Sequence, residues 1–260
     1  LEYELDTCSS TIIVSLIVSY PLVAKMFVYM NNCLETTGGI LFATLAAYVL
    51  YCGEHRKRDF VFAVIFLLIG CSQIENTLIT FYVEICLFSY LKKEKDNLWK
   101  DILFPVVLSL LTVVLSQGIG RLLAWTTGTP YSNYGMGIYA KWGNVHTPSD
   151  LIGVAASIKN NYGYWFSRYF SVKLFTAAAC FWLIVAVVRL IHKQVLKCLY
   201  AVGVVVASLA MYIITANGAL PIRIFTVYFV AVTGAVVCIF DYLHRQKMDE
   251  KGSQSKRWLN

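Results

Sequence analysis

Long apolar runs, broken by short loops rich in Lys and Arg, dominate this 260-residue chain and leave it few ways to fold. A helix needs about 20 consecutive apolar residues to cross a bilayer core of roughly 30 Å. Eight runs approach that length: 11–29, 36–52, 60–74, 77–91, 102–122, 169–191, 197–215 and 224–240. With 58% hydrophobic and 14% charged residues, the chain is a poor fit to a soluble globule. The expected fold is all-α, a polytopic transmembrane helical bundle of about eight spans. Residues 1–260 are expected to form a single integral-membrane domain, with an outer loop at 123–168 and a cytoplasmic tail at 241–260. The chain opens at Leu1 without a basic stretch and cleavage site, so no signal peptide is read there, and a part upstream of residue 1 is expected.

Charge orients the bundle. Loops 53–59, 92–101 and 189–197 and the tail 241–260 hold 15 of the 22 Lys and Arg residues, while loops 30–35 and 70–76 hold none. Basic and cation-poor segments alternate, as the positive-inside rule requires. Both termini are therefore expected on the cytoplasmic side, with 30–35, 70–76, 123–168 and 216–223 facing outward. The net charge of +7 follows from this topology, and no nucleic-acid partner is expected. The eight cysteines are scattered singly, a pattern of neither a zinc site nor a disulfide framework. Cys33 and Cys71 fall in outward loops, and a bridge between them is not expected. No matching inverted halves are visible, which speaks against a secondary transporter.

Some ionisable residues run against the topology. Lys25, Arg121, Lys173 and Arg223 lie near the outward ends of their spans, and Glu75 sits at an outward hairpin tip. Charge at such depth is costly. Taken together these cations would make an electropositive mouth for a lipid-linked phosphate, since Arg grips phosphate bidentately and Lys as a point charge. Taken singly, each would merely snorkel to the interface. Glu84 lies mid-span, about 13 Å below Glu75 at 1.5 Å per residue, and is read first as a structural carboxyl bonded to a neighbouring helix.

The outer loop interleaves aromatics with amides and carboxylates. Tyr131, Tyr134, Tyr139 and Trp142, with Asn133, Asn144 and Asp150, suit the apolar faces and hydroxyl edges of sugars. Trp125, Tyr164 and Trp165 sit near span ends and read as an interfacial belt. Residues 149–159 have helical spacing, with Ser149 as candidate N-cap, and suggest a short surface helix. His146 stands alone, no metal-ligand cluster is present, and neither metal nor cofactor is expected.

Three segments then carry a family resemblance. The first is a span with Pro21, a polar turn and LFATLAAYVLY at 41–51. The second is GCSQIENTLITFY at 70–82, and the third is LPIRIFTVYF at 220–229. The chain resembles the bacterial and phage type II membrane glucosyltransferases that convert O-antigen serotype. Where members commonly show Tyr-Gln in the hairpin, Glu75-Asn76 stand here; Arg223 is the better match. The resemblance implies a bacterial inner-membrane enzyme that moves glucose from a polyprenyl phosphate to a lipid-linked polysaccharide at the periplasmic face. It also implies a general base on the first outer loop, where Glu35 is the carboxylate present; Glu75 is the second catalytic candidate. Arg223, Arg121 and Lys173 would hold the carrier phosphate, and Tyr134, Trp142 and Asp150 the acceptor glycan. Two alternatives stay open: a lipid-linked oligosaccharide flippase, and a non-enzymatic envelope-assembly protein.

Overall fold

Proline and glycine set the clearest helix boundaries. Pro148 occupies the first position of one helix and Pro105 the first turn of another, where a missing N–H costs nothing. Gly128 closes the latter with a φ of 67°, the left-handed conformation that ends helices. The computed structural model describes residues 30–52, 57–73, 77–92, 97–128, 147–215 and 227–257. Among them it is all-helical. The helices are α1 (Met30–Cys52), α2 (Lys57–Gln73), α3 (Thr77–Leu91), α4 (Phe104–Thr127), α5 (Pro148–Arg168), α6 (Phe170–Ile191), α7 (Val195–Thr215) and α8 (Val227–Arg257). A π-helical turn, Trp99–Leu103, leads into α4.

The run at 77–91 is matched to the residue by α3. Elsewhere the boundaries move. Residues 30–35, expected as a loop, form the start of α1: no Pro or Gly interrupts them, and a helix extends cheaply into polar residues. The surface segment is longer than its expected 149–159, and its N-cap is Thr147 rather than Ser149. The tail is not a separate element, since α8 runs on through Arg257. The expected span 11–29 lies outside the described residues. By length and composition two helical stretches suffice to cross a membrane, Trp99–Thr127 and Phe170–Ile191; Thr37–Tyr51, Thr77–Leu91, Val195–Ala210 and Val227–Leu243 are shorter apolar stretches.

Helix α3 is the axis of the packing. Its Phe81 and Ile85 join a cluster with Ala43, Ala47, Leu67 and Leu108 from α1, α2 and α4. Its Ile79, Val83 and Leu87 join a second cluster with Phe175, Trp182, Val204 and Tyr228 from α6, α7 and α8. Such a helix is apolar on every side because every side meets protein. Close approach needs small residues. A Cβ on Gly234 would lie 2.6 Å from Leu87 Cδ1, and one on Gly203 would lie 2.7 Å from Cys86 Sγ. Cys71 carries a free thiol.

Helices α4 and α6 behave differently. Val114 is 68% exposed, Trp125 81% and Ile184 64%. Gly118 has no atom within 4 Å of where a Cβ would stand, so it does not serve helix packing among the described residues. Their apolar surfaces are left for some other environment.

Candidate functional site

The end expected to face outward is only partly described. Lys25, Glu75, Tyr134, Trp142, His146 and Arg223 lie outside the described residues, as does the side chain of Glu35, whose backbone belongs to α1. Arg121 is exposed on the last two turns of α4, with no hydrogen bond or ion pair among the described residues. Lys173 is exposed in the first turn of α6, its Nζ 5.9 Å over the Phe166 ring of α5. No hydrogen bond, ion pair or ring contact joins these two cations among the described residues.

Asp150 has a local task. Its Oδ2 accepts the Thr147 backbone N–H at 2.8 Å, so the carboxylate closes the first turn of α5. Of the aromatics expected as a belt, Tyr164 and Trp165 cluster at the junction of α5 and α6, while Trp125 stands exposed on α4. Trp165 lies against Tyr164 and Tyr169, with centroids 5.6 and 5.1 Å away, and Arg168 sits 4.2 Å over Tyr164. The Tyr162 hydroxyl is bonded to Thr176 Oγ1 at 2.7 Å, which ties α5 to α6. Burial pushes the Tyr162 phenol up from its ordinary range, and that hydrogen bond pulls part of the way back.

Glu84 stands in the centre of the bundle and is buried. Its Oε1 lies 2.6 Å from Thr44 Oγ1 on α1, and the same hydroxyl lies 3.0 Å from the Ile40 carbonyl. A hydroxyl has one proton to give. The Thr44 hydroxyl therefore shares its one proton between the Glu84 carboxyl and the Ile40 carbonyl. Glu84 Oε2 and Thr80 Oγ1, one turn apart on α3, have no hydrogen-bond partner among the described residues. Most other buried hydroxyls of the helices are satisfied locally: Ser109 donates to Val106 O, Thr112 to Leu108 O and Ser208 to Val204 O. No polar path through the bundle follows from them.

The best-built polar cluster is at the opposite end, and sequence reasoning missed it. Asp101 is buried in the π turn. Its Oδ2 accepts Lys92 Nζ at 2.5 Å, the Tyr200 hydroxyl at 2.5 Å and the Asn97 backbone N–H at 2.7 Å. Lys197 Nζ donates to the carbonyls of Ser89 (2.8 Å), Tyr90 (2.8 Å) and Lys92 (3.0 Å), and so satisfies the unpaired C-terminal end of α3. Ser89 Oγ is bonded to the Tyr51 hydroxyl, and Arg189 Nε donates to the Tyr90 hydroxyl at 3.1 Å. Basic segments 92–101 and 189–197 therefore meet at one end of the bundle. In the sequence Lys92 and Lys197 read as topology signals alone. The usable hint was Asp101, a lone carboxylate between a basic loop and an apolar run.

Among the described residues no group of His, Cys, Asp and Glu would hold a metal ion. What the described parts offer is a helical body with uncovered apolar faces, free cations at one end and a satisfied ionic knot at the other. That is the make-up of a membrane-associated protein, and comparison with known families makes it an enzyme. Residues 5–239 match the family model described as Glucosyl transferase GtrII. The chain belongs to this glucosyl transferase family and is a glycosyltransferase. No curated protein and no solved structure matches it.

Proposed function

We infer that the protein transfers a hexose, glucose in the first instance, from a polyprenyl phosphate carrier to a lipid-linked surface polysaccharide such as O-antigen. It does so as a single multi-pass domain of about eight spans in the bacterial inner membrane, with both termini cytoplasmic and the site at the periplasmic face. The observation that carries this reading is the position of Arg121 and Lys173 relative to the basic end. Arg121 follows Asp101 by 20 residues, and Lys173 precedes Arg189 by 16. At 1.5 Å per residue that is about 30 and 24 Å, close to one bilayer core. Exposed cations one membrane thickness from the basic loops are out of place for topology and in place for a lipid phosphate.

In this reading Glu35, or Glu75, takes the proton from an acceptor hydroxyl. The acceptor oxygen attacks the anomeric carbon, and the phosphate departs with the electron pair of the broken C–O bond. Arg223, Arg121 and Lys173 neutralise the departing charge, which removes the need for a metal. Tyr134, Trp142 and Asp150 hold the acceptor glycan, Asp150 through its place at the head of α5.

The test is transfer of radiolabelled glucose from undecaprenyl phosphate to lipopolysaccharide, in membranes holding equal amounts of wild type, Arg223→Ala and Arg121→Ala. Removing one cation from the leaving phosphate is expected to lower transfer by about a hundredfold. Wild-type transfer that both variants retain in full would refute the phosphate assignment. No wild-type transfer across several sugar donors would refute the polyprenyl-linked donor.

A further inference from the structure

At the basic end α6, α7 and α8 do not close on one another, and a cleft of about 1130 Å³ opens between them. One wall is apolar, built from Phe181, Ile184, Val185 and Val188 of α6 with Ile239 and Leu243 of α8. The mouth carries the cations Arg189 and Lys193, with the His192 imidazole beside them near the turn between α6 and α7, and Asp241 is the one acid among the described lining residues. Lys92 and Lys197 also reach the lining, but Asp101 and the α3 carbonyls already engage them.

The turn itself is unusual. Gln194 N–H donates to Arg189 O and Lys193 N–H to Leu190 O, both at 2.9 Å, the paired bonds of a Schellman C-cap. Glycine normally takes the left-handed position of that motif. Here Lys193 takes it, with a φ of 58°. A side chain there costs roughly 1–2 kcal/mol. The ammonium group gained for that strain lines the cleft mouth and has no ion pair among the described residues. Beside it, Arg189 is held in place by Tyr90 and by Gln194 Oε1 at 2.8 Å; these bonds use two of its five N–H groups and leave the others for an anion.

We propose that this cleft binds an anionic phospholipid from the leaflet on the basic side. The phosphate lies among Arg189, His192 and Lys193, and an acyl chain runs along the α6–α8 wall. Charge complementarity selects the headgroup, and the uncovered wall, with Ile184 outermost, accepts hydrocarbon. The assignment rests on the membrane-embedded reading above but not on the sugar, the donor or the catalytic residues.

Native mass spectrometry of the detergent-extracted chain, titrated with phosphatidylglycerol or phosphatidylcholine of matched acyl chains, tests it. Wild type is expected to hold phosphatidylglycerol about fivefold or more tightly than phosphatidylcholine, at about a factor of five per cation. Lys193→Gly removes the cation and relieves the backbone strain, so it folds at least as well as wild type. It is expected to lose about fivefold for phosphatidylglycerol and nothing for phosphatidylcholine. Ile184→Trp, which fills the wall, should weaken both lipids. Equal retention of the two lipids by wild type, or an unchanged preference in Lys193→Gly, overturns the proposal. Displacement of phosphatidylglycerol by polyprenyl phosphate at equal concentration overturns it in favour of the carrier. Recovery of the chain without detergent in the soluble fraction overturns the membrane reading instead.

Discussion

Helices α3 and α4 are nearly interchangeable as strings of letters, and the fold treats them as opposites. Both are predominantly apolar, with a few polar residues each. α3 is wrapped by protein, with Phe81, Val83 and Ile85 almost wholly inaccessible. α4 presents Val114, Leu122 and Trp125 outward, and its buried residues among the described ones, Pro105, Leu108, Ser109 and Thr112, all lie in its first half. A helix that is hydrophobic all round must be covered by something. In α3 the cover is other helices; in α4 it is not supplied by the described residues, and a bilayer is the cover the proposed function assigns to it.

The sharpest way to break this comparison is to put a charge on each helix. Val83→Arg would bury an unpaired guanidinium in the α3 core, at about 3–5 kcal/mol or more, and is expected to abolish folded material in detergent extraction. Val114→Arg on α4 is expected to cost about 2.5–3.5 kcal/mol if lipid surrounds it and almost nothing if water does. Insertion efficiency of the two variants separates the cases. An unaffected Val114→Arg would mean α4 is not lipid-facing.

Truncation gives the next largest contrast. Phe81→Ala should lower stability by about 3–5 kcal/mol, as core aromatics do. Leu122→Ala should change it by about 0.5 kcal/mol or less. Thermal unfolding in detergent reads both. Comparable losses would show that α4 packs on a partner as closely as α3 packs on its neighbours.

Glycine substitutions should differ in sign. Gly234→Ala pushes a methyl into Leu87 and Trp182 on the α3 side of the bundle and should cost about 1–3 kcal/mol. Gly118→Ala on α4 meets nothing within 4 Å and should gain about 0.5–1 kcal/mol from lower chain entropy. A destabilising Gly118→Ala would reveal a close partner for that face. A modest effect is expected at α5, a helix with no fully buried residue: Asp150→Ala removes its N-terminal hydrogen bond at about 1 kcal/mol. A larger loss of sugar transfer than of stability would separate acceptor binding from capping.

Much of the helical order was legible because its signals are local. The run at 77–91 ends where Lys92 begins, and α3 ends at Leu91. Spans at 60–74, 169–191 and 197–215 reappear within a few residues as α2, α6 and α7. Where local signals were weak the reading slipped. Residues 30–35 are polar enough to pass for a loop yet carry no helix breaker. The α5 segment continues past 159 because Asn160 to Arg168 hold an amphipathic face that docks on α6 through Tyr162 and Trp165.

The candidate site was legible only in outline. Arg121 and Lys173 were singled out by their position against the charge bias, and both stand exposed. The Asp101 knot was not foreseen, because Tyr200 lies 99 residues along the chain and Lys92 had already been assigned to topology. Likewise nothing in the letters HKQ at 192–194 marks Lys193 as a residue in a glycine conformation.

The amino-acid sequence alone determined that the chain is helical, that its helices are apolar enough to seek a nonaqueous environment, that its Lys and Arg gather in alternate loops, and that it resembles glucosyl transferases. The first three are matters of composition, period or spacing along the chain, and the last is a likeness of segments to a known family. Tertiary structure alone decided which apolar helix protein would cover and which would be left bare. It also decided that Asp101 would draw together Lys92, Asn97 and Tyr200, and that three helices would part around a cationic cleft. The reason is that burial and ion pairing belong to neighbours in space, and residues a hundred positions apart become neighbours only when the helices pack.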